Sequence, residues 1–510
     1  MRKIPFLIAL SFTLAAFIHV TTCCASADTI KGVTNAASGP PKLVMVEQAH
    51  ELLPQWYSSP PVKRAFVVVG STFGLEKAKD SVVEYTLKGM EKGYWDSLMA
   101  RDYPTPQEYP VNSANYMYYA FRAGLVKEIY WVPPSVGPVA DEDIENFRGF
   151  IKAVGASDEE ASRLTKDKVS FSGTVNGVPV HICRLKDLPK LEDEVTLVVD
   201  LSFFSELHQD EVKTPMLGIF QAFARDIEAS GLKVYEADVA YSTAQGTVPL
   251  GERFVGEYLK VYFTAPGSLS EGPPEAWNLM AQSMYNDTFY QLEESAEYLD
   301  KGLRVDPKNA GLWYAMSVNQ RSLTNLTYLK EALDKAVSLD KGYYTAYTSA
   351  GEYFIGEKVP DASQYFLQKA VEANPKDPGP YKALYTLHYA ATNYRQAAES
   401  LQKVIDLGFK EGELYALLAD SYQRAGEAKK AIDAYHEAIK GFPEVDRAAR
   451  FTTLVGLAMA YSKDKQVENA LKTYDEAIKY ADNDDDANKV MENARKLKAT
   501  WAPFLAPKAP

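Results

Sequence analysis

Between residues 414 and 443, apolar positions recur every three or four residues in two runs. Tyr415, Leu418, Ala419 and Tyr422 form the first stripe, and Ala431, Tyr435 and Ala438 the second. This spacing predicts two amphipathic helices packed stripe to stripe, with small Ala419 and Ala438 allowing a close approach. Gly426 marks the turn, and Pro443 falls just past the second helix, where it cannot continue it. The pattern repeats. Trp277, Trp313, Tyr347, Tyr381 and Tyr415 hold the same early place in successive units, the last three of them 34 residues apart. Leu454 follows after 39 residues, which predicts a longer loop near Val445–Arg450. Gly351, Phe354, Ala370 and Pro375 mark the third unit, and Leu457, Ala458, Tyr461, Ala470, Tyr474 and Ala477 the last. About six helix pairs are expected over 275–485. An acidic turn at Asp482–Asp486, a capping helix over Lys489–Lys498 and a frayed Pro-rich end complete residues 486–510.

The pattern changes upstream. Residues 28–42 are polar and read as a flexible lead-in. From 43 to 266 short apolar runs alternate with helix-like stretches. Strands are expected at Ala65–Gly70, Lys127–Val132, Val195–Phe204 and Leu232–Tyr241, and a hairpin turning at Asn176-Gly177 within Val169–Val180. Helices are expected at Val82–Lys92, Asn115–Leu125, Asp141–Val154, Thr214–Ser230 and Gly251–Tyr262, with Gly231 as the stop of the fourth. Strand and helix in this rhythm predict an α/β domain built on a mostly parallel sheet. Residues 267–274, dense in Gly, Pro and Ser, are the expected linker to an all-α solenoid.

A chain of 510 residues is too long for one small core. Residues 1–27 have the build of a secretory signal. Arg2 and Lys3 precede the apolar run Phe6–Val20, and Ala25-Ser26-Ala27 offers a cleavage site before Asp28. The expected location is therefore the periplasm or the exterior. A retained anchor and a lipid-modified Cys23 are the alternatives. After cleavage only Cys183 remains, which leaves no internal disulfide. The net charge of −13 speaks against a nucleic-acid partner. Downstream of the signal no stretch is apolar enough to span a membrane.

The unit at 414–443 resembles the tetratricopeptide repeat (TPR) at nearly every signature position. The resemblance implies a curved stack whose first helices line a concave face. By repeat register that face includes Tyr314, Arg321, Thr348, Glu352, Lys382, Thr386, Tyr389, Asp420, Gln423, Arg424 and Lys463. The set mixes charges with tyrosines, which suits a protein or peptide partner held by polar contacts around aromatic anchors.

Two upstream stretches resemble an uncharacterised family on the arginase/histone-deacetylase fold. Phe66–Leu75 (FVVVGSTFGL) resembles a metal-binding run of the form HIDAHSDL, with His50 and Trp56 ahead of it. Val198–Phe204 (VVDLSFF) resembles a later strand close to DIDLDYF, and Val234–Ser242 its continuation. The resemblance implies an arginase-like frame over roughly 44–263. A binuclear site there needs carboxylates and imidazoles at strand tips. Val68, Gly70, Thr72 and Gly74 stand at the first set of positions, Val198 and Ser202 at the second, and Asp200 alone survives. One carboxylate cannot hold a metal pair. The implied domain is catalytically degenerate, with His50, Asp200 and His208 as vestiges and with no metal, cofactor or catalytic residue.

The other candidate chemistry is sparse. His50, His181, His208, His388 and His436 show no helix-face pair at metal spacing. His208, between Glu206 and Asp210 after the strongest strand, is the least ordinary of them. Gly70–Gly74 lacks the lysine of a phosphate-binding loop. The expected function is an exported adaptor that grips another polypeptide. The alternative is a metal-dependent amide or ester hydrolase with ligands from non-standard positions.

Overall fold

The computed structural model describes residues 30–37, 39–59, 62–101, 103–135, 143–210, 215–481 and 483–505. The expected signal segment and the end of the tail lie outside them. Among the described residues eight strands form one sheet. They are β1 (Lys42–Val46), β2 (Arg64–Val69), β3 (Val126–Val132), β4 (Thr165–Lys166), β5 (Ser170–Val175), β6 (Val178–Cys183), β7 (Val195–Asp200) and β8 (Val234–Ala240). Their order is β1-β8-β7-β2-β3-β6-β5-β4. Pairing is parallel from β1 across to β6 and antiparallel from β6 through β5 to β4, so the sheet is mixed with a parallel centre. The β5–β6 hairpin turns at Asn176 and Gly177, with φ of 50° and 84°. Both values are positive, as a two-residue turn matched to strand twist requires.

Helices cover both faces. They are α1 (Leu53–Ser58), α2 (Asp80–Glu91), α3 (Trp95–Leu98), α4 (Tyr116–Arg122), α5 (Asp143–Ala153), α6 (Asp158–Ser162), α7 (Ser202–Asp210), α8 (Met216–Ser230) and α9 (Val255–Thr264). Alternation along the central strands sorts the core. Val67, Val69, Leu197 and Val199 pack with α7, α8 and α9. Phe66, Val68 and Val198 pack on the other face, against α1, α2, α4 and α5. Strands buried on both faces explain the near-continuous apolar runs VVV and TLVV. The expected strand Val195–Phe204 is shorter than its apolar run. Asp200 ends β7, its Oδ1 accepts from the Ser202 N–H at 2.8 Å, and the phenylalanines that follow belong to α7.

Six helical hairpins follow among the described residues. They pair α10 (Glu275–Thr288) with α11 (Leu292–Val305), α12 (Ala310–Ser322) with α13 (Leu326–Leu339), and α14 (Thr345–Gly356) with α15 (Pro360–Ala373). Next come α16 (Pro378–Ala390) with α17 (Tyr394–Asp406), α18 (Gly412–Arg424) with α19 (Ala428–Gly441), and α20 (Arg447–Lys463) with α21 (Val467–Ile478). A last helix, α22 (Asp484–Leu505), packs Val490 and Leu497 into the end of the stack. It begins inside the expected acidic turn, because Asp484–Asp486 stabilise a helix N-terminus. The extra residues before Leu454 do not lengthen a loop. They extend α20 at its start, where the Asp446 side chain accepts from the Ala449 N–H. Each hairpin turn places one residue at positive φ: Tyr290, Thr324, Lys358, Thr392, Gly426 and Lys465. Only one of the six is the glycine that sequence reading looks for.

Two stretches expected to be loose are packed. In the lead-in, Ile30 and Val33 are buried, Thr34 bridges to Lys233, and the Gly32 N–H donates to Glu228 at 2.8 Å. In the Gly/Pro/Ser stretch, Pro266–Leu269 forms a 3-10 turn with Leu269 buried. The sheet and the first hairpins share one core. Trp277, Met280, Leu299, Leu312 and Met316 are buried with Phe220, Tyr258 and Tyr262, and the Trp277 and Tyr258 rings lie 4.0 Å apart.

Candidate functional site

Open α/β sheets bind ligands beyond the C-terminal tips of their central strands. Val68 is buried in the β2 core. Gly70 lies so close to β7 that a Cβ there would stand 3.0 Å from Asp200 Cβ, and the place of a Gly74 side chain is filled by the Tyr116 ring. The Asp200 carboxylate is enclosed. Its two oxygens accept from the Ser202 N–H and, at 2.6 Å, from the Ser242 hydroxyl. Burial raises its pKa, and these bonds offset the rise in part. His50 is buried between Ser113 Oγ at 3.0 Å and the Ala100 carbonyl at 3.1 Å, and burial lowers its pKa. His208 Nδ1 meets Glu252 Oε1 at 3.2 Å. The three expected vestiges thus have separate partners, and none of these bonds joins one to another. Cys183 is buried, and burial pushes its thiol up to about 12, which keeps it protonated. Among the described residues no group of three or more His, Cys, Asp or Glu side chains is placed to hold a metal ion.

An acidic pair that the sequence pattern does not single out as a site lies on β8. Glu236 and Asp238 alternate on β8 and so share a face. Asp238 Oδ2 accepts from Trp56 Nε1 at 2.8 Å, and its Oδ1 is buried without a partner. Burial first, and the Glu236 charge second, raise the Asp238 pKa well above that of a free carboxyl. Glu236 accepts from Gln55 and from Lys42. Acids inside the apolar run VYEADVA are a sequence signal of buried carboxyls. Their partners on α1 and β1 carry no such signal.

At the edge of the sheet the two parts of the molecule are bolted together by Arg253. Only 7% of its side chain is exposed. It donates to Glu47 Oε2 at 2.6 Å, to Asp340 Oδ2 at 2.6 Å and to Thr243 Oγ1 at 2.8 Å, and it lies 3.8 Å over the Tyr241 ring. Burial works against its charge. The carboxylates of Asp340 and Glu47 outweigh that and raise its pKa. Glu47 Oε1 in turn accepts from Thr243 and from the Ala244 N–H. A cleft of about 950 Å³ opens beside this cluster, with Tyr103, Tyr344 and Lys341 in its walls.

The residues assigned to the concave face divide. Tyr314 stacks on Tyr343 at 4.8 Å, and Arg321 lies over the Tyr353 ring at 5.2 Å. Both line a space of about 280 Å³ whose opposite wall is the segment 243–250 that follows β8. Thr348 is half-buried, and its hydroxyl lacks a partner. Glu352 is exposed at its surface end, and partial burial raises its pKa. Lys382 reaches over the Phe409 ring at 5.1 Å, and the Thr386 hydroxyl donates to the Lys382 carbonyl. Tyr389 donates to Asp420 at 2.6 Å, and Arg424 donates to the same carboxylate at 2.8 Å. Asp420, Gln423, Arg424 and Lys463 meet in one groove of about 800 Å³ between α18 and α20. Lys463 Nζ donates there to the Gln423 carbonyl at 3.3 Å, while the Gln423 side-chain Oε1 is buried without a partner. Met459, 42% exposed, forms part of the apolar wall.

Two family models, each described as Tetratricopeptide repeat, match residues 415–444 and 451–484. No curated protein matches the chain. Among solved structures it is similar to YrrB, described as a TPR protein with an unusual peptide-binding site, at 19% identity over 39% of this chain and 99% of that one, with a TM-score of 0.30. It is also similar to MamA from Desulfovibrio magneticus RS-1, at 20% identity over 33% of this chain and 95% of that one, with a TM-score of 0.25. A third is TTC0263, a thermophilic TPR protein of Thermus thermophilus, at 15% identity over 44% and 99%, with a TM-score of 0.21. The hairpins α18–α19 and α20–α21 of this chain are tetratricopeptide repeats.

Proposed function

We propose that this protein is an exported adaptor that holds another polypeptide in the groove between α18 and α20, next to an arginase-like domain without hydrolase chemistry. The observation that carries the reading is the groove itself. It lies where the repeat models match, is large enough for several side chains, and combines Met459 and Ala416 with Asp420, Arg424 and Lys463 at its rim. An apolar floor with a polar rim is the make-up of a protein-binding patch. Export rests on the basic and apolar build of residues 1–27. The silent domain rests on Val68, Gly70, Thr72 and Gly74 at the expected ligand positions, and on Asp200 being spent on Ser202 and Ser242.

The test uses the full chain, with a photo-crosslinking residue at Met459, produced in a bacterium with an outer envelope. The expected result is a discrete polypeptide adduct in the extracytoplasmic fraction, and a mature chain starting at Asp28. Recovery of the chain in the cytosol removes export. Absence of any adduct from Met459 removes the groove. Amide or ester hydrolysis by the purified protein that is lost in Asp200→Asn or His208→Ala would replace the adaptor reading with the hydrolase one.

A further inference from the structure

The inner face of the repeats is already occupied at one end. The segment that follows β8 lies against α12 and α14, with Thr243, Ala244, Gly246, Val248 and Pro249 forming one wall of the 280 Å³ space. Leu250 goes further and packs against the buried cores around Leu333, Ala346 and Tyr343. This stretch enters as a turn, and an aliphatic-proline-aliphatic run, Val248-Pro249-Leu250, leads it into a short 3-10 helix at Leu250–Glu252.

Repeat register links this filled space to the open one. Three repeats after Tyr314, Arg321 and Leu333 stand Ala416, Gln423 and Tyr435. Three repeats after Thr345 and Ser349, with the longer 39-residue step included, stand Thr452 and Gly456. The first five line the filled space, or pack against Leu250, and the second five line the groove of about 800 Å³. They are the same register positions, once with the segment after β8 lying across them and once open. The replacements redistribute the space: Tyr314 becomes Ala416, which opens the α18 side of the groove, while Leu333 becomes Tyr435, whose ring takes the place that a side chain at Gly456 would fill. They also change its polarity. Arg321 has the Tyr353 ring beneath it, whereas Gln423, which also lines the groove, keeps a buried Oε1 with no donor.

We infer that the open groove between α18 and α20 receives a loop of a partner protein built like Val248-Pro249-Leu250, with an aliphatic residue beside a proline as its anchor. This rests on the adaptor reading and specifies the partner's contact segment. The aliphatic side chain packs on Met459 and Ala416, in the space that Tyr314 fills in the earlier copy. Proline holds the loop extended, which lowers the entropy lost on docking.

A synthetic peptide of residues 243–252 tests this by calorimetric titration into the full chain. The expected result is saturable binding that weakens about tenfold or more in Ala416→Trp, which fills the groove. It also weakens when the peptide carries Asp at the position of Leu250. Thermal melting shows whether Ala416→Trp is folded, and Met459→Glu serves as the second blocking variant. No binding to the full chain overturns the inference, and so does binding that both groove variants leave unchanged. If Met459 crosslinks a partner while the peptide fails to bind, the adaptor reading stands and the loop motif falls. If the peptide binds in the groove and Met459 crosslinks nothing in the cell, the motif stands and the adaptor reading falls.

Discussion

At the scale of single residues, the least expected group is Asp238. A buried carboxyl with one oxygen unpartnered is costly when ionised, and here the cost is expressed as a raised pKa. For an acid whose folded pKa lies above its unfolded value, the folded state binds the proton more tightly. Stability is then fully present below the unfolded value near 3.8 and is lost as pH rises through the folded pKa. Asp238→Asn keeps an acceptor for Trp56 Nε1 and removes the charge. The variant is expected to match the wild type near pH 4 and to exceed it at pH 7, by about 1 kcal/mol or more. Urea unfolding at the two pH values measures this, and equal stability at pH 7 would mean that the wild type holds Asp238 without penalty.

At the scale of elements, the hairpins depend on close approach. A Cβ at Gly351 on α14 would stand 2.5 Å from Leu367 Cγ on α15. An alanine in a helix is normally stabilising by about 1 kcal/mol relative to glycine. Here overpacking outweighs that gain. Gly351→Ala is expected to destabilise the protein by about 1–3 kcal/mol, read as a lower melting temperature with unchanged helix content. Gly356, on the same helix, has open space at the corresponding point and serves as the control. Its alanine variant is expected to be neutral or more stable.

At the scale of the molecule, sheet and solenoid fold as partners. Trp277, Met280, Leu312 and Met316 are buried in the core that contains Phe220 and Tyr258, and Arg253 ties Glu47 to Asp340. A fragment of residues 275–510 exposes the apolar side of its first two hairpins and leaves Asp340 without its cation. That fragment is expected to bind a hydrophobic dye and to self-associate, while the full chain melts in one transition. Breaking the bolt by Arg253→Met leaves two carboxylates uncompensated, at a cost of about 3–5 kcal/mol. Calorimetry distinguishes a single shifted transition from two separate ones, and two transitions in the wild type would show that the halves are independent.

The repeats, the strand rhythm, the Asn176-Gly177 turn and the Gly231 stop were legible in the chain because each is a local matter of periodicity or backbone freedom. Residues three and four apart meet on a helix whatever surrounds them. The same reasoning gave Asp420, Gln423, Arg424 and Lys463 one shared face, since a repeat carries its register with it. It also assigned Tyr314 to an open groove, and there tertiary structure decided otherwise. The segment that covers Tyr314 comes from the end of β8, and nothing near either residue announces the meeting. Glu47, Arg253 and Asp340 are joined in the same way, across three distant parts of the chain. Apolar pattern says that a face will be buried, whereas the packing of the whole chain selects what buries it.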